Sequence, residues 1–151
     1  MTIELNIETM LLALRQKSHL EVQDIADVVA RDNARAGLDK IDEINRNIKD
    51  GIAQVSRRCW RFLKDDRAMV AVNTDDMPQT VAFDLRLSER RGTNKAEPLA
   101  AAMQSLIIEY ALAEFYVTVN HSELSKVHSL AAMDAGNMIE ELLYTKKPPR
   151  V

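Results

Sequence analysis

The spacing of apolar residues predicts helices over most of the chain. In its clearest stretch, residues 41–62, apolar positions recur in steps of three and four and so stay on one helical face for about six turns. This row consists of Ile41, Ile44, Ile48, Ile52, Val55, Cys59 and Phe62. Gly51 interrupts it at a cost of up to about 1 kcal/mol relative to alanine. We therefore expect another backbone to approach closely at this glycine.

Two more helices are predicted at 96–119 and 122–143. The first is apolar over a wide arc, which is typical of a central helix surrounded by other elements. Asn94 and Asn120, each followed three residues later by a glutamate, have the spacing of helix N-caps. The two consecutive prolines of the "KKPPR" tail cannot continue the second helix.

The first forty residues are less clearly patterned. Residues 2–17 leave a strand and a helix open, because alternation at the start gives way to a run of apolar residues. Ser18 and Glu21 have the spacing of a capping box and predict a new helix that starts at residue 18. Gly37 is suited to the left-handed conformation that commonly ends a helix.

Residues 68–88 change the pattern to strict alternation, which predicts a β-hairpin. Its second strand has one fully apolar face, formed by Val81, Phe83, Leu85 and Leu87. A two-stranded ribbon is marginal by itself, so this face must pack either on the chain's own helices or on a neighbouring subunit. The predicted fold class is mainly α, a helical bundle of about four helices with one inserted β-hairpin, in a single domain over residues 1–151.

Composition narrows the class of protein. The chain has 151 residues, 46% hydrophobic and 28% charged, which suits one globular domain. The single Cys59 excludes an internal disulfide, and no signal peptide or apolar run of membrane-spanning length is present, so we expect an intracellular protein without a membrane. A net charge of −3 is less basic than that of most dedicated nucleic-acid modules.

The sequence contains no pattern typical of a catalytic, metal or cofactor site, and we predict a protein that is not an enzyme. His121 and His128 are seven residues apart without the HExxH spacing, which favours structural or surface roles. Cys59 lies on the apolar row, where it is expected to act as a small hydrophobe. A cluster of arginines (Arg57, Arg58 and Arg61) flanks Trp60 and could either face DNA phosphates or form a solvated helix end.

The second half of the chain resembles the head–tail connector proteins (neck or adaptor rings) of tailed bacteriophages, most closely the virion ring proteins of crAss-like phages. The stretches that carry this resemblance are "TVAFDLRLSERR" (80–91), "LAAAMQSLIIEYALAEFYVTV" (99–119) and "HSLAAMDAGNMIEELLYTKKPP" (128–149).

The resemblance implies a virion protein, assembled in the host cytoplasm, that forms a homo-oligomeric ring. Its partners would be other copies of itself and the portal, tail or neck proteins, with DNA passing through the bore without specific binding. Val81, Phe83, Leu85 and Leu87 of the hairpin would then contact a neighbour. A C-terminal tail would dock on the next ring through Lys146, Lys147, Pro148, Pro149 and Arg150. The alternative is a small helical regulatory or nucleic-acid-binding protein that uses the basic clusters at 57–61 and 86–91.

Overall fold

A computed structural model describes residues 1–64, 69–72, 78–87 and 94–144, and only the backbone at 69–72 and 78–79. The helices are α1 (Ile7–Val22), α2 (Val28–Ala34), α3 (Ile41–Cys59), α4 (Ala96–Thr118) and α5 (Ser122–Tyr144). The strands are β1 (Thr2–Asn6), β2 (Met69–Val72) and β3 (Pro78–Asp84), and short 3-10 turns at Leu38–Lys40 and Trp60–Phe62 flank α3. The prediction of a mainly helical protein with one inserted hairpin is confirmed.

The predicted hairpin belongs to a larger sheet. All three strands are antiparallel, in the order β1-β3-β2, so the N-terminal strand β1 pairs with the second strand of the hairpin. In that register Ile3 lies opposite Phe83 and Leu5 lies opposite Val81, and these four side chains form one buried apolar face. The third strand removes the need for a neighbour at this edge, since a sheet with three strands and a covered face is much more stable than an isolated ribbon.

The apolar face of the sheet packs on the protein's own helices, with α1 against β3 and α4 against β1. As a result Val81, Phe83 and Leu85 are completely buried in the core, and Leu87 is partly buried against it. This corrects the expectation that these residues meet a neighbouring subunit, because the chain itself already covers them. A partner could reach Val81, Phe83 and Leu85 only if the core opened.

Helix α4 is the centre of the helical layer, as its wide apolar arc predicts. It packs against α3, α5, α1 and β1, and its buried residues join those of the sheet in one continuous core. The close approach expected at Gly51 is confirmed: a Cβ atom there would lie 3.0 Å from both the Cα and the carbonyl oxygen of Ile107. Gly51 therefore lets α3 and α4 pack with their backbones nearly in contact.

The N-terminal predictions are partly wrong. Residues 2–17 contain both a strand and a helix, since β1 is followed directly by the start of α1. No helix starts at Ser18, because α1 continues through it and the buried Ser18 hydroxyl accepts a hydrogen bond from the Ala36 amide instead (2.9 Å). The chain does break near Gly37, but this residue has φ −95°, so the break does not use a left-handed glycine.

The predicted caps of the two C-terminal helices also differ from the structure. Helix α4 begins after Lys95 without a side-chain cap, so Asn94 does not fill this role. Asn120 adopts a left-handed conformation (φ 59°), which the short asparagine side chain tolerates, and turns the chain between α4 and α5. His121, one residue later, accepts from the Leu124 amide at 3.4 Å.

None of the helices in the described ranges is both long enough and apolar enough to cross a membrane.

Candidate functional site

A cluster of ionisable side chains lies where α1, α4 and α5 meet. Glu109 of α4 and His128 of α5 are buried, and His128 is only 1% exposed. Glu21 and Lys17 reach the cluster from α1, on its more exposed side. Side chains that are buried and charged are rare unless they are paired, so these contacts are an important constraint on how the three helices dock.

The imidazole of His128 is held between two carboxylates. Its Nε2 lies 2.8 Å from Glu21 Oε2, and its Nδ1 pairs with Glu109 Oε2. The other carboxylate oxygen of Glu109 pairs with the Lys17 ammonium group. The Tyr116 ring stacks on the imidazole, with the two ring centroids 5.5 Å apart. The Tyr116 hydroxyl donates to Glu21 Oε2 at 2.8 Å. Every charged group of the cluster thus faces an opposite charge.

The pKa values of the cluster are set by a competition between burial and pairing. Burial alone would lower the pKa of His128, but its hydrogen bonds to Glu109 and Glu21 outweigh this and raise the pKa from 6.5 to about 9. Burial would raise the pKa of Glu109, yet the hydrogen bonds and charges of His128 and Lys17 lower it below its ordinary value of 4.5. At neutral pH the imidazole is therefore protonated, and both of its nitrogens donate to carboxylates.

This arrangement is suited to joining helices. The imidazole is enclosed, so a substrate has no access to its nitrogens in this conformation. Because Glu21 and Glu109 bind opposite nitrogens of the ring, the three side chains do not converge on one point. Among the residues that the structure describes, no group of three or more His, Cys, Asp or Glu side chains could hold a metal ion. We assign the cluster a structural role as a charged lock between α1 and the α4–α5 pair.

The sequence contained one signal for this lock that periodicity arguments overlooked. Glu109 is one of two glutamates in the apolar run "LIIEYALAEF", and a carboxylate on a surrounded helix requires a buried partner. Its partners could not be chosen from the sequence, since His128 is 19 residues away and Glu21 is 107 residues from His128.

The structure separates the three arginines near Trp60. Arg57 and Arg61 are exposed, and the Arg61 guanidinium lies over the Trp60 ring, 5.3 Å from its centroid. Arg58 instead points towards α5 and forms a 3.2 Å ion pair with Glu140. Only two of the three side chains are therefore available to a ligand at this end of α3.

Other predicted positions have different outcomes. Cys59 is buried, which raises the pKa of its thiol to about 12 and agrees with a role as a small hydrophobe. Arg86 is exposed, and its guanidinium donates to the Lys64 carbonyl at 2.8 Å. The rest of the second basic cluster (88–91) and the proposed docking tail (Lys146, Lys147, Pro148, Pro149 and Arg150) lie outside the described residues.

Large apolar side chains are exposed on several of the described elements, and two such surfaces lie on α5 and α2. The first, the α5 surface, consists of Val127, Leu130, Met133 and Met138. These residues lie within an arc of about 140° on the outer side of α5, opposite its buried residues. The second, the α2 surface, consists of Val28 and Val29. The two surfaces belong to different elements and share no residue.

No protein-family model matches the chain, and neither a curated protein nor a solved structure is significantly similar to it.

Proposed function

We propose that the protein is a structural virion protein, one subunit of an oligomeric head–tail connector ring that binds portal or tail proteins. The observation that supports ring formation best is the pair of separate apolar surfaces on α2 and α5. A ring closes by head-to-tail contacts, so each subunit needs two different surfaces, one for each neighbour. The resemblance of the second half of the chain to phage connector proteins supports the biological setting.

The α5 surface has the character of a protein interface. Its four side chains are spread over about 17 Å of helix, from Val127 to Met138, and Leu130 is 62% exposed. Single exposed apolar residues are ordinary, but a row of them along one helix is typical of a contact site. Val117 of α4 is exposed as well and, together with Met133, lines a neighbouring groove of about 290 Å³ between α3, α4 and α5.

The α2 surface is the natural counterpart because α2 has little support from its own chain. The helix has seven residues, and Ala34 is its one buried residue. Isolated helices shorter than about 12 residues are marginal in water, so their stability comes from packing. A neighbour that covered Val28 and Val29 would supply that packing. Because the hairpin is covered within the subunit, α2 is the element that a neighbouring subunit would stabilise.

Two charge-introducing variants test the head-to-tail contact. Val29→Glu disrupts the α2 surface and Leu130→Glu disrupts the α5 surface, while Ala53→Glu on the exposed side of α3 is the matched control. Light scattering should detect concentration-dependent oligomers for the wild type and for the control. Burial of one leucine contributes about 1.5–3 kcal/mol, so each disruptive variant should associate at least about tenfold more weakly.

Mixing the two variants gives the decisive result. Each mixed pair retains one intact α5 surface and one intact α2 surface, so the mixture should form dimers that cannot extend. If Val29→Glu dimerises by itself, the α5 surface pairs with its own copy, and the contact cannot build a ring. A wild-type protein that stays monomeric at high concentration, and in the presence of purified portal, would contradict the connector function as a whole.

A second candidate function, single-stranded nucleic-acid binding, is favoured by one observation. Trp60 is exposed beside Arg57 and Arg61, and exposed aromatic rings next to arginines stack on bases and contact phosphates. Trp60 is the chain's single tryptophan, so its fluorescence reports stacking directly. Quenching by a single-stranded oligonucleotide that weakens steeply with salt, and that is lost when both arginines are replaced by glutamine, would support this function. Unchanged fluorescence at low salt would exclude it.

A further inference from the structure

A pocket of about 460 Å³ lies between α1 and the segment that connects α2 to α3. On one side α1 contributes Arg15 and His19, and on the other side the connecting segment contributes Arg35. The volume is in the range of small-molecule sites, which are commonly a few hundred cubic ångströms. This pocket is separate from the buried cluster around His128 and from the α2 and α5 surfaces.

The arginines of this pocket have no acidic partners among the residues that the structure describes. In the described part of the chain, Arg15, His19 and Arg35 take part in none of the ion pairs between side chains. The Nε atom of Arg15 is buried and has no hydrogen-bond partner among the described residues. A buried donor without an acceptor is costly, so an unpaired Arg15 Nε–H indicates that a ligand or solvent atom completes its hydrogen bond.

A second compartment next to this pocket is also lined by arginine side chains. It measures about 260 Å³, shares His19 and Arg35 with the first, and adds Arg31. Asp39 lines the larger compartment and Asp32 the smaller one, but neither forms an ion pair with these arginines among the contacts of the described residues. Three arginines against two aspartates leave the two compartments together with a net positive charge.

We propose that this pocket binds the oxyanion of a small molecule, a phosphate or carboxylate group. Arginine suits this role because its guanidinium presents several N–H donors in a plane that matches two oxygens of such a group. Arg15 and Arg35 would bind the oxyanion. Leu12 and Leu38, which line the same pocket and are exposed, would contact an apolar portion of the ligand. The proposed site is independent of ring formation, so either proposal can fail without the other.

The side-chain Nε–Hε signal of Arg15 in a ¹⁵N-correlated NMR spectrum provides a direct test. Inorganic phosphate and acetate are titrated separately, at ionic strength kept constant with sodium chloride. Saturable movement of the Arg15 signal by at least one of them is expected, with a dissociation constant in the millimolar range or below. The more effective anion identifies the class of ligand.

Variants show where the anion binds, and two separate substitutions are used so that the result does not depend on one of them. Arg35→Gln and Arg15→Gln should each weaken binding at least tenfold, as followed by backbone amide signals of residues 35–39. Arg57→Gln, which removes an exposed arginine elsewhere, is the matched control and should bind as the wild type does. Phenyl phosphate should bind more tightly than inorganic phosphate, and Leu38→Ser should reduce that difference. Shifts that rise linearly without saturation, or equal binding by Arg35→Gln and wild type, would overturn the proposal.

Discussion

The charged lock around His128 makes stability depend on pH in a defined direction. The pKa of His128 is about 9 in the folded protein, against an ordinary value of 6.5. Because the folded-state pKa is the higher one, the folded protein holds the proton more tightly than the unfolded chain. The stabilisation is therefore complete below about pH 6.5 and is lost as the pH rises to about 9.

The size of the effect follows from the difference between the two pKa values. Each pH unit corresponds to about 1.4 kcal/mol for one proton, so a separation of about 2.5 units amounts to about 3 kcal/mol. That is a large fraction of the 5–15 kcal/mol by which folded domains are typically stable. The groups that face the imidazole are Glu21, Glu109 and Tyr116. Lys17 pairs with Glu109.

The assay compares the wild type with His128→Gln in urea unfolding followed by circular dichroism, between pH 5.5 and 9.5. Titrating groups outside the cluster affect both proteins alike, so the difference between their free energies of unfolding reports on His128 together with the carboxylates that pair with it. This difference should shrink by about 3 kcal/mol from pH 6.5 to 9. A difference that stays constant over this interval would refute the reasoning. If the variant does not fold, NMR titration of the His128 ring in the wild type replaces the unfolding comparison. A titration midpoint near pH 6.5 would then refute the reasoning.

Two further predictions concern packing in the core. Gly51→Ala should lower the free energy of unfolding by up to about 2 kcal/mol, because overpacking against the Ile107 backbone exceeds the gain of about 1 kcal/mol in helix propensity. Gly136→Ala, the matched control, meets only the movable end of Arg58 and should be neutral or stabilising in the same urea titration, so equal losses in both variants would contradict this reasoning. Cys59, whose thiol has a pKa of about 12, should react with a colorimetric thiol reagent only as the protein unfolds, and rapid reaction of the folded protein at pH 8 would contradict its burial.

Local patterns in the sequence determined much of the secondary structure. The apolar row at 41–62 formed α3 and the turn after it, and the wide apolar arc of 96–119 formed the central helix. Alternation at 68–88 gave the two strands of the hairpin. Gly51, a glycine within the apolar row, indicated the close contact between α3 and α4. These features follow from periodicities of about 3.6 and 2 residues, which depend only on neighbours along the chain.

Long-range pairing decided the rest. The capping-box spacing at Ser18 was overridden because its hydroxyl found a partner in the Ala36 amide after the chain folded back. The hairpin found a third strand at the other end of the chain, which placed its apolar face in the core and left the exposed apolar residues on other elements. Local sequence patterns predicted most of the segments that became helix or strand, whereas the tertiary structure decided which faces were buried and which charges were paired. The physical reason is that burial and ion pairing depend on distances in space, and the spacing of residues along the chain does not determine those distances.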